Sequence, residues 1–214
     1  MRNQNTLFAR EGYPFIVGAA LAVVIFAGFG WWCLTTIATL LTAFIAWFFR
    51  NPERQPPEGE KKVVAPADGR VIFVGPVVDP RCGSEPFTKI SIFMNVFNVH
   101  VNRVPVGGTV VDRFYNAGRF LNAALDKAAL ENEQAGLVVQ TDDGQKVLFI
   151  QIAGLIARRI VTYPVVGDRI ERGRRYGLIR FGSRVDIYLP PGTRIDARLG
   201  DITVAGETVL GELS

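Results

Sequence analysis

Leu178-Ile179-Arg180-Phe181-Gly182-Ser183-Arg184-Val185-Asp186-Ile187-Tyr188-Leu189 holds two short apolar runs, Leu178 to Phe181 and Val185 to Leu189, parted by Gly182-Ser183. Runs this short, rich in β-branched and aromatic residues, read as strands. Gly182 permits a backbone conformation that other residues resist, and Ser183 sets a hydroxyl beside that permissive peptide bond. Taken alone, a Gly-Ser step is a turn. Its meaning depends on what surrounds it.

Outward from this stretch the same pattern recurs. Lys61 to Ala65, Arg70 to Gly75, Thr88 to Met94, Gly108 to Tyr115, Leu137 to Thr141, Lys146 to Ile152, Ile156 to Tyr163 and Thr208 to Leu213 read as further strands, bounded by Gly, Pro or Asp. Phe120 to Asn132 has the spacing of a helix with one apolar face. The expected fold is mostly β, a β-sandwich or open barrel of α+β type with one main helix. It fills residues 61–214.

The N-terminal part is different. No charged residue occurs from Tyr13 to Phe49, which is too long for a secretory signal core and reads as a membrane segment, residues 1–50. Pro14 to Gly28 and Trp31 to Phe49 form two hydrophobic helices broken at Gly28-Phe29-Gly30. Two spans and a re-entrant hairpin both return the chain to its starting side. Arg2, Arg10, Arg50 and Arg54 place that side in the cytoplasm. Residues 51–60, rich in proline, form a linker to the β domain.

The 24 basic and 20 acidic residues leave a net charge of +4, which does not argue for nucleic acid. A weakly basic domain tethered to a bilayer suits anionic lipid headgroups. Of the two cysteines, Cys33 lies in the apolar run and Cys82 in a polar loop, so no disulfide framework is expected.

His100 is the sole histidine, at the end of an apolar strand in Asn98-Val99-His100-Val101-Asn102-Arg103-Val104-Pro105. Any step that needs an imidazole near neutral pH falls to it. One histidine excludes a multi-histidine metal site, and no metal is expected. Asp68 lies in Pro66-Ala67-Asp68-Gly69, which is ordinary turn chemistry as well as a carboxylate. Asp68, His100 and Ser183 make up an acid, a base and a hydroxyl, a set defined by geometry and not by chain order. The run around Ser183 is not the Gly-x-Ser-x-Gly of a hydrolase elbow.

Phe181-Gly182-Ser183, Pro66-Ala67-Asp68-Gly69, Asn98 to Pro105 and the closing Ala205-Gly206-Glu207-Thr208-Val209 together resemble the short, membrane-associated class of phosphatidylserine decarboxylases. The resemblance covers nearly the whole chain. It implies self-cleavage between Gly182 and Ser183 into fragments 1–182 and 183–214, a heterodimer of the chain's own pieces with further homo-oligomerisation left open. Ser183 would become a pyruvoyl group, the cofactor that takes up the substrate amine as a Schiff base. His100 would protonate the carbanion left by carbon dioxide, and Asp68 would orient the base of self-cleavage. In longer members a second histidine stands where this chain has Arg103, and arginine is no base at ordinary pH.

Eight arginines lie between Arg158 and Arg184. Arg180 and Arg184 flank Ser183 and, with Arg103, are candidates to bind the phosphate of an anionic phospholipid. The implied reaction is phosphatidylserine to phosphatidylethanolamine and carbon dioxide. Two alternatives are a pyruvoyl decarboxylase for another serine-headgroup lipid such as archaetidylserine, and a membrane-tethered β-sandwich binding module without chemistry. The second is suggested by a loose echo between Val64 to Val71 and Val161 to Ile170.

Overall fold

The computed structural model describes residues 6–82, 85–118, 132–154, 159–180 and 183–214, which fall into two compact units meeting in sequence at Glu53 and Arg54. The expected helix over Phe120 to Asn132 lies, but for Asn132, outside the described residues, as do Arg158, Phe181 and Gly182.

The first unit is a helical hairpin of α1 (Tyr13–Gly28) and α2 (Trp32–Phe48), reversed at Gly30, whose φ of 71° suits glycine. With its lead-in turn the first helix runs Arg10–Gly28, long and apolar enough to serve as a membrane anchor. Large apolar side chains such as Val24, Ile37 and Leu40 are more than 60% exposed on it, as a lipid-facing surface requires. The hydroxyls of Thr35, Thr36, Thr39 and Thr42 each donate to the carbonyl four residues back, so none needs water. Arg50 closes the hairpin with its guanidinium 4.2 Å over the Trp47 ring, a pairing at home in an interfacial layer.

The second unit contains fourteen strands among the described residues: β1 (Lys62–Val64), β2 (Gly69–Val77), β3 (Phe87–Met94), β4 (Val101–Arg103), β5 (Gly108–Asn116), β6 (Gln134–Gln140), β7 (Lys146–Ala153), β8 (Ile160–Thr162), β9 (Arg169–Ile170), β10 (Arg175–Ile179), β11 (Ser183–Leu189), β12 (Arg194–Ile195), β13 (Ile202–Thr203) and β14 (Val209–Glu212). Eight form one antiparallel sheet in the order β13-β2-β3-β11-β7-β6-β5-β9, and two sheets of three, β4-β10-β8 and β1-β14-β12, complete the unit. The mostly β fold is as expected.

β11 lies near the middle of the large sheet, and each of its seven residues is buried. Val185, Ile187 and Leu189 join the main core with Ile90, Ile92 and Phe149, while Tyr188 joins a second cluster with Leu148, Ile150 and Ile152. Both faces of the strand are covered: Val185, Ile187, Tyr188 and Leu189 carry its β signal, while Arg184 and Asp186 are charged residues buried on the face opposite Ser183.

The proline-rich linker is held down along its second half. Arg172 donates to the carbonyls of Pro57, Gly59, Glu60 and Lys62, and Gly173 leaves room for the Pro56 ring, since a Cβ there would overlap it.

Candidate active site

Ser183 is the first residue of β11, not part of a turn. It pairs with Met94 of β3 on one side and Ala153 of β7 on the other. It shares a face with Val185, the face that carries the main core. Ser183 is fully buried, and among the described residues its Oγ has no hydrogen-bond partner. Burying an unsatisfied hydroxyl costs about 1–3 kcal/mol, so the position is held at the expense of stability.

His100 is also fully buried. It does not end an apolar strand: β3 stops at Met94, and His100 comes just before β4. Between them the Asn95 carboxamide accepts from the Phe97 amide, and the Asn98 carboxamide accepts from the Asn95 amide, both at 2.9 Å. The sequence cannot separate the two readings, since asparagines break a strand only when their side chains find such partners. Nδ1 of His100 lies 3.0 Å from the Asn98 carbonyl. A carbonyl only accepts, so Nδ1 carries a proton, and whenever the ring is neutral Nε2 holds the lone pair. The His100 carbonyl accepts from the Ile179 amide at 3.3 Å, which sets the His100 backbone beside β10, the strand that precedes Ser183 in sequence.

Asp68 precedes β2 at the same end of the sheet. Arg70 and Arg184 both pair with Phe93, so the starts of β2 and β11 stand two strands apart, about 10 Å. The next residue must be glycine, because a Cβ at Gly69 would lie 2.1 Å from the Phe93 carbonyl oxygen. Asp68 Oδ1 accepts from the Ala205 amide at 2.8 Å, and Oδ2 pairs with Arg54 at 3.1 Å. Arg54 reaches Glu207 as well, at 3.4 Å, and Glu207 accepts from the Gln55 amide. Two stretches far apart in sequence, Pro66 to Gly69 and Ala205 to Thr208, thus form one knot around Asp68.

The candidate arginines separate. Arg103 is 5% exposed and donates to the Gly173 carbonyl at 2.8 Å, packed against Gly206, where φ is 80° and a Cβ would meet its Cδ at 2.7 Å. Arg184 is 2% exposed and lies on the face of β11 opposite Ser183, ion-paired with Asp186 at 2.8 Å. Both were candidates to bind a lipid phosphate, and both are buried against protein partners. Strand alternation is the reason for Arg184: the residue next to Ser183 in sequence points the other way. Arg180 is half-buried, its amide donating to the Arg159 carbonyl at 3.3 Å.

Sequence reading passed over Arg54, counted only among flanking charges, and Glu207. It also missed three polar residues on the Ser183 side of the sheet: Gln151, Asn102 and Thr162. Amides within strands carry no pattern that marks them, so only the packing finds them. Burial pushes the Tyr176 phenol far up, so it stays protonated and is no base. Among the described residues no group of three or more His, Cys, Asp or Glu is placed to hold a metal ion.

Comparison with known proteins gives a consistent result. The family model for phosphatidylserine decarboxylase matches residues 41–211. Phosphatidylserine decarboxylase proenzymes of Syntrophotalea carbinolica and Geobacter sulfurreducens are each 57% identical to the chain, and that of Geobacter metallireducens is 56% identical, with the whole of both chains covered in every case.

Proposed function

The chain belongs to the phosphatidylserine decarboxylase family, and from that premise we propose how its own residues mature it and run its reaction. The enzyme converts phosphatidylserine to phosphatidylethanolamine and carbon dioxide, and it is made as a proenzyme. A binding module without chemistry is thereby set aside.

Maturation is self-cleavage at Gly182-Ser183. Ser183 Oγ attacks the Gly182 carbonyl, the peptide C–N bond breaks as the C–O bond forms, and the hydroxyl proton passes to the freed nitrogen. Elimination across the Ser183 side chain then releases the Gly182 carboxylate, and water replaces the nitrogen as ammonia, leaving a pyruvoyl end. The observation that carries this reading is Ser183 itself, a fully buried hydroxyl with no hydrogen-bond partner among the described residues, directly after glycine. A serine hydroxyl is weak at its free pKa and needs a base, and His100 Nε2 has the required lone pair. Asp68, fixed by Arg54 and the Ala205 amide, holds negative charge at the same sheet end and favours a cationic partner there.

The pyruvoyl carbonyl at position 183 supplies an electron sink for the carboxylate's departing charge. His100 returns a proton to the substrate carbon. The apolar floor of Met94, Ala153 and Val185, all buried, keeps water from the departing carboxylate. Arg180, half-buried and three residues before Ser183, is the arginine we assign to the headgroup phosphate. The hairpin of α1 and α2 anchors the enzyme in the cell membrane, and Arg10 and Arg50 beside it favour the cytoplasmic side for the catalytic unit. The mature enzyme is a heterodimer of fragments 1–182 and 183–214.

The test is Ser183→Ala. The variant is expected to remain one chain and to release no carbon dioxide from phosphatidylserine; decarboxylation by the uncut variant would remove the pyruvoyl reading.

A further inference from the structure

We propose that Gln151 is a positioning residue: its side-chain amide holds His100 in place against position 183, and decarboxylation depends on it more than self-cleavage does. The inference rests on the maturation reading above.

Gln151 is fully buried on β7, opposite Val185, so its side chain leaves the large sheet on the face that carries Ser183. Its Oε1 accepts from Thr162 Oγ1 of β8 at 2.7 Å, and its Nε2 donates to Asn102 Oδ1 of β4 at 2.8 Å. Asn102, fully buried and two residues after His100, donates onward to Met94 Sδ at 3.6 Å. Met94 is the cross-strand partner of Ser183. Every donor points the same way along this chain, so the bonds polarise and strengthen one another. β10 is shaped for it: a Cβ at Gly177 would lie 2.8 Å from Nε2 and 3.0 Å from Oε1.

A hydrocarbon of similar size would fill this space. It would not fix the register of the β4-β10-β8 sheet over the large one, which two short directional bonds do. In the uncut chain His100 has a second tie, from its carbonyl to the Ile179 amide, and Ile179 is joined through residues 180–182 to Ser183. Cleavage after residue 182 severs that covalent route and leaves His100 and position 183 on different fragments. The pairing of β11 with β3 and β7, and the amide bridge from β7 to β4, then carry the alignment.

The experiment compares full-length wild type, Gln151→Leu and Thr162→Val in detergent, reading fragment masses, kcat and KM for phosphatidylserine in mixed micelles, and the pH profile of kcat/KM. Both variants are expected to mature to the wild-type fragments. Gln151→Leu should lower kcat by roughly 10- to 100-fold with KM nearly unchanged, and Thr162→Val, which removes one bond at constant volume, by a smaller factor in the same direction. A shifted pH profile marks a displaced imidazole rather than a loosened core. If Gln151→Leu does not fold, the kcat of Thr162→Val decides. A wild-type kcat in the variants, a change confined to KM, or an uncut Gln151→Leu chain would overturn the inference while wild type is still cut. An uncut wild type would overturn the maturation reading and this inference together.

Discussion

Arg54 Nη2 lies 3.1 Å from Asp68 Oδ2, so a residue of the linker clamps the carboxylate just before β2. The same guanidinium reaches Glu207, and the pair is mostly shielded, with side-chain exposures of 19% and 13% for Arg54 and Asp68. Arg54→Ala leaves two carboxylates without their shared cation, and stability should fall by about 1.5–3 kcal/mol, with self-cleavage slowed. Arg54→Lys restores only one contact, because a point charge cannot span both partners. Urea melts and a cleavage time course check both.

His100→Ala removes the one imidazole. Any protein that matures should decarboxylate at least about 100-fold more slowly, read as carbon dioxide release per pyruvoyl end, because general acid catalysis contributes that much or more.

Arg184 and Asp186 form a buried ion pair at 2% and 0% side-chain exposure. Arg184→Leu strands the Asp186 charge and should cost about 3–5 kcal/mol, whereas Arg184→Leu with Asp186→Leu should cost far less. A double-mutant cycle by thermal unfolding measures the coupling, and near-equal losses in the single and double variants would contradict it.

Arg81 beside Asp79 holds that carboxyl below its usual range, against the opposing effect of burial. A carboxylate with a lowered pKa in the folded state contributes stability that is full above its unfolded value near 4 and is lost as pH falls through the folded value. The pair is part-exposed, so the contribution is at most about 1 kcal/mol. Urea midpoints from pH 6 down to pH 3 should fall more steeply for wild type than for Asp79→Asn.

What was legible in the sequence follows from what each element depends on. The apolar hairpin and the long strands β3, β7 and β11 read correctly because burial on one or both faces writes itself into consecutive residues. β9, β12 and β13, of two residues each, and β4, of three, did not, since a strand that short exists only through its partner. Ser183 and His100 stood out by chemistry, one after a glycine and one as a sole imidazole. Arg184 lies on the face opposite Ser183 because neighbours along a strand alternate between faces. Gln151 and Asn102 were silent because an amide becomes informative only when its partners arrive from strands about 50 residues away, as in the Gln151–Asn102 bond.

The central claim is that the chain cuts itself before Ser183 and that residue 183 ends as a pyruvoyl group. Intact-mass measurement of the purified protein addresses it directly. Two species are expected, residues 1–182 and residues 183–214, the smaller with a blocked N-terminus that reductive amination converts to alanine. A single chain of 23.6 kDa with Ser183 intact in a preparation that decarboxylates phosphatidylserine would contradict the account.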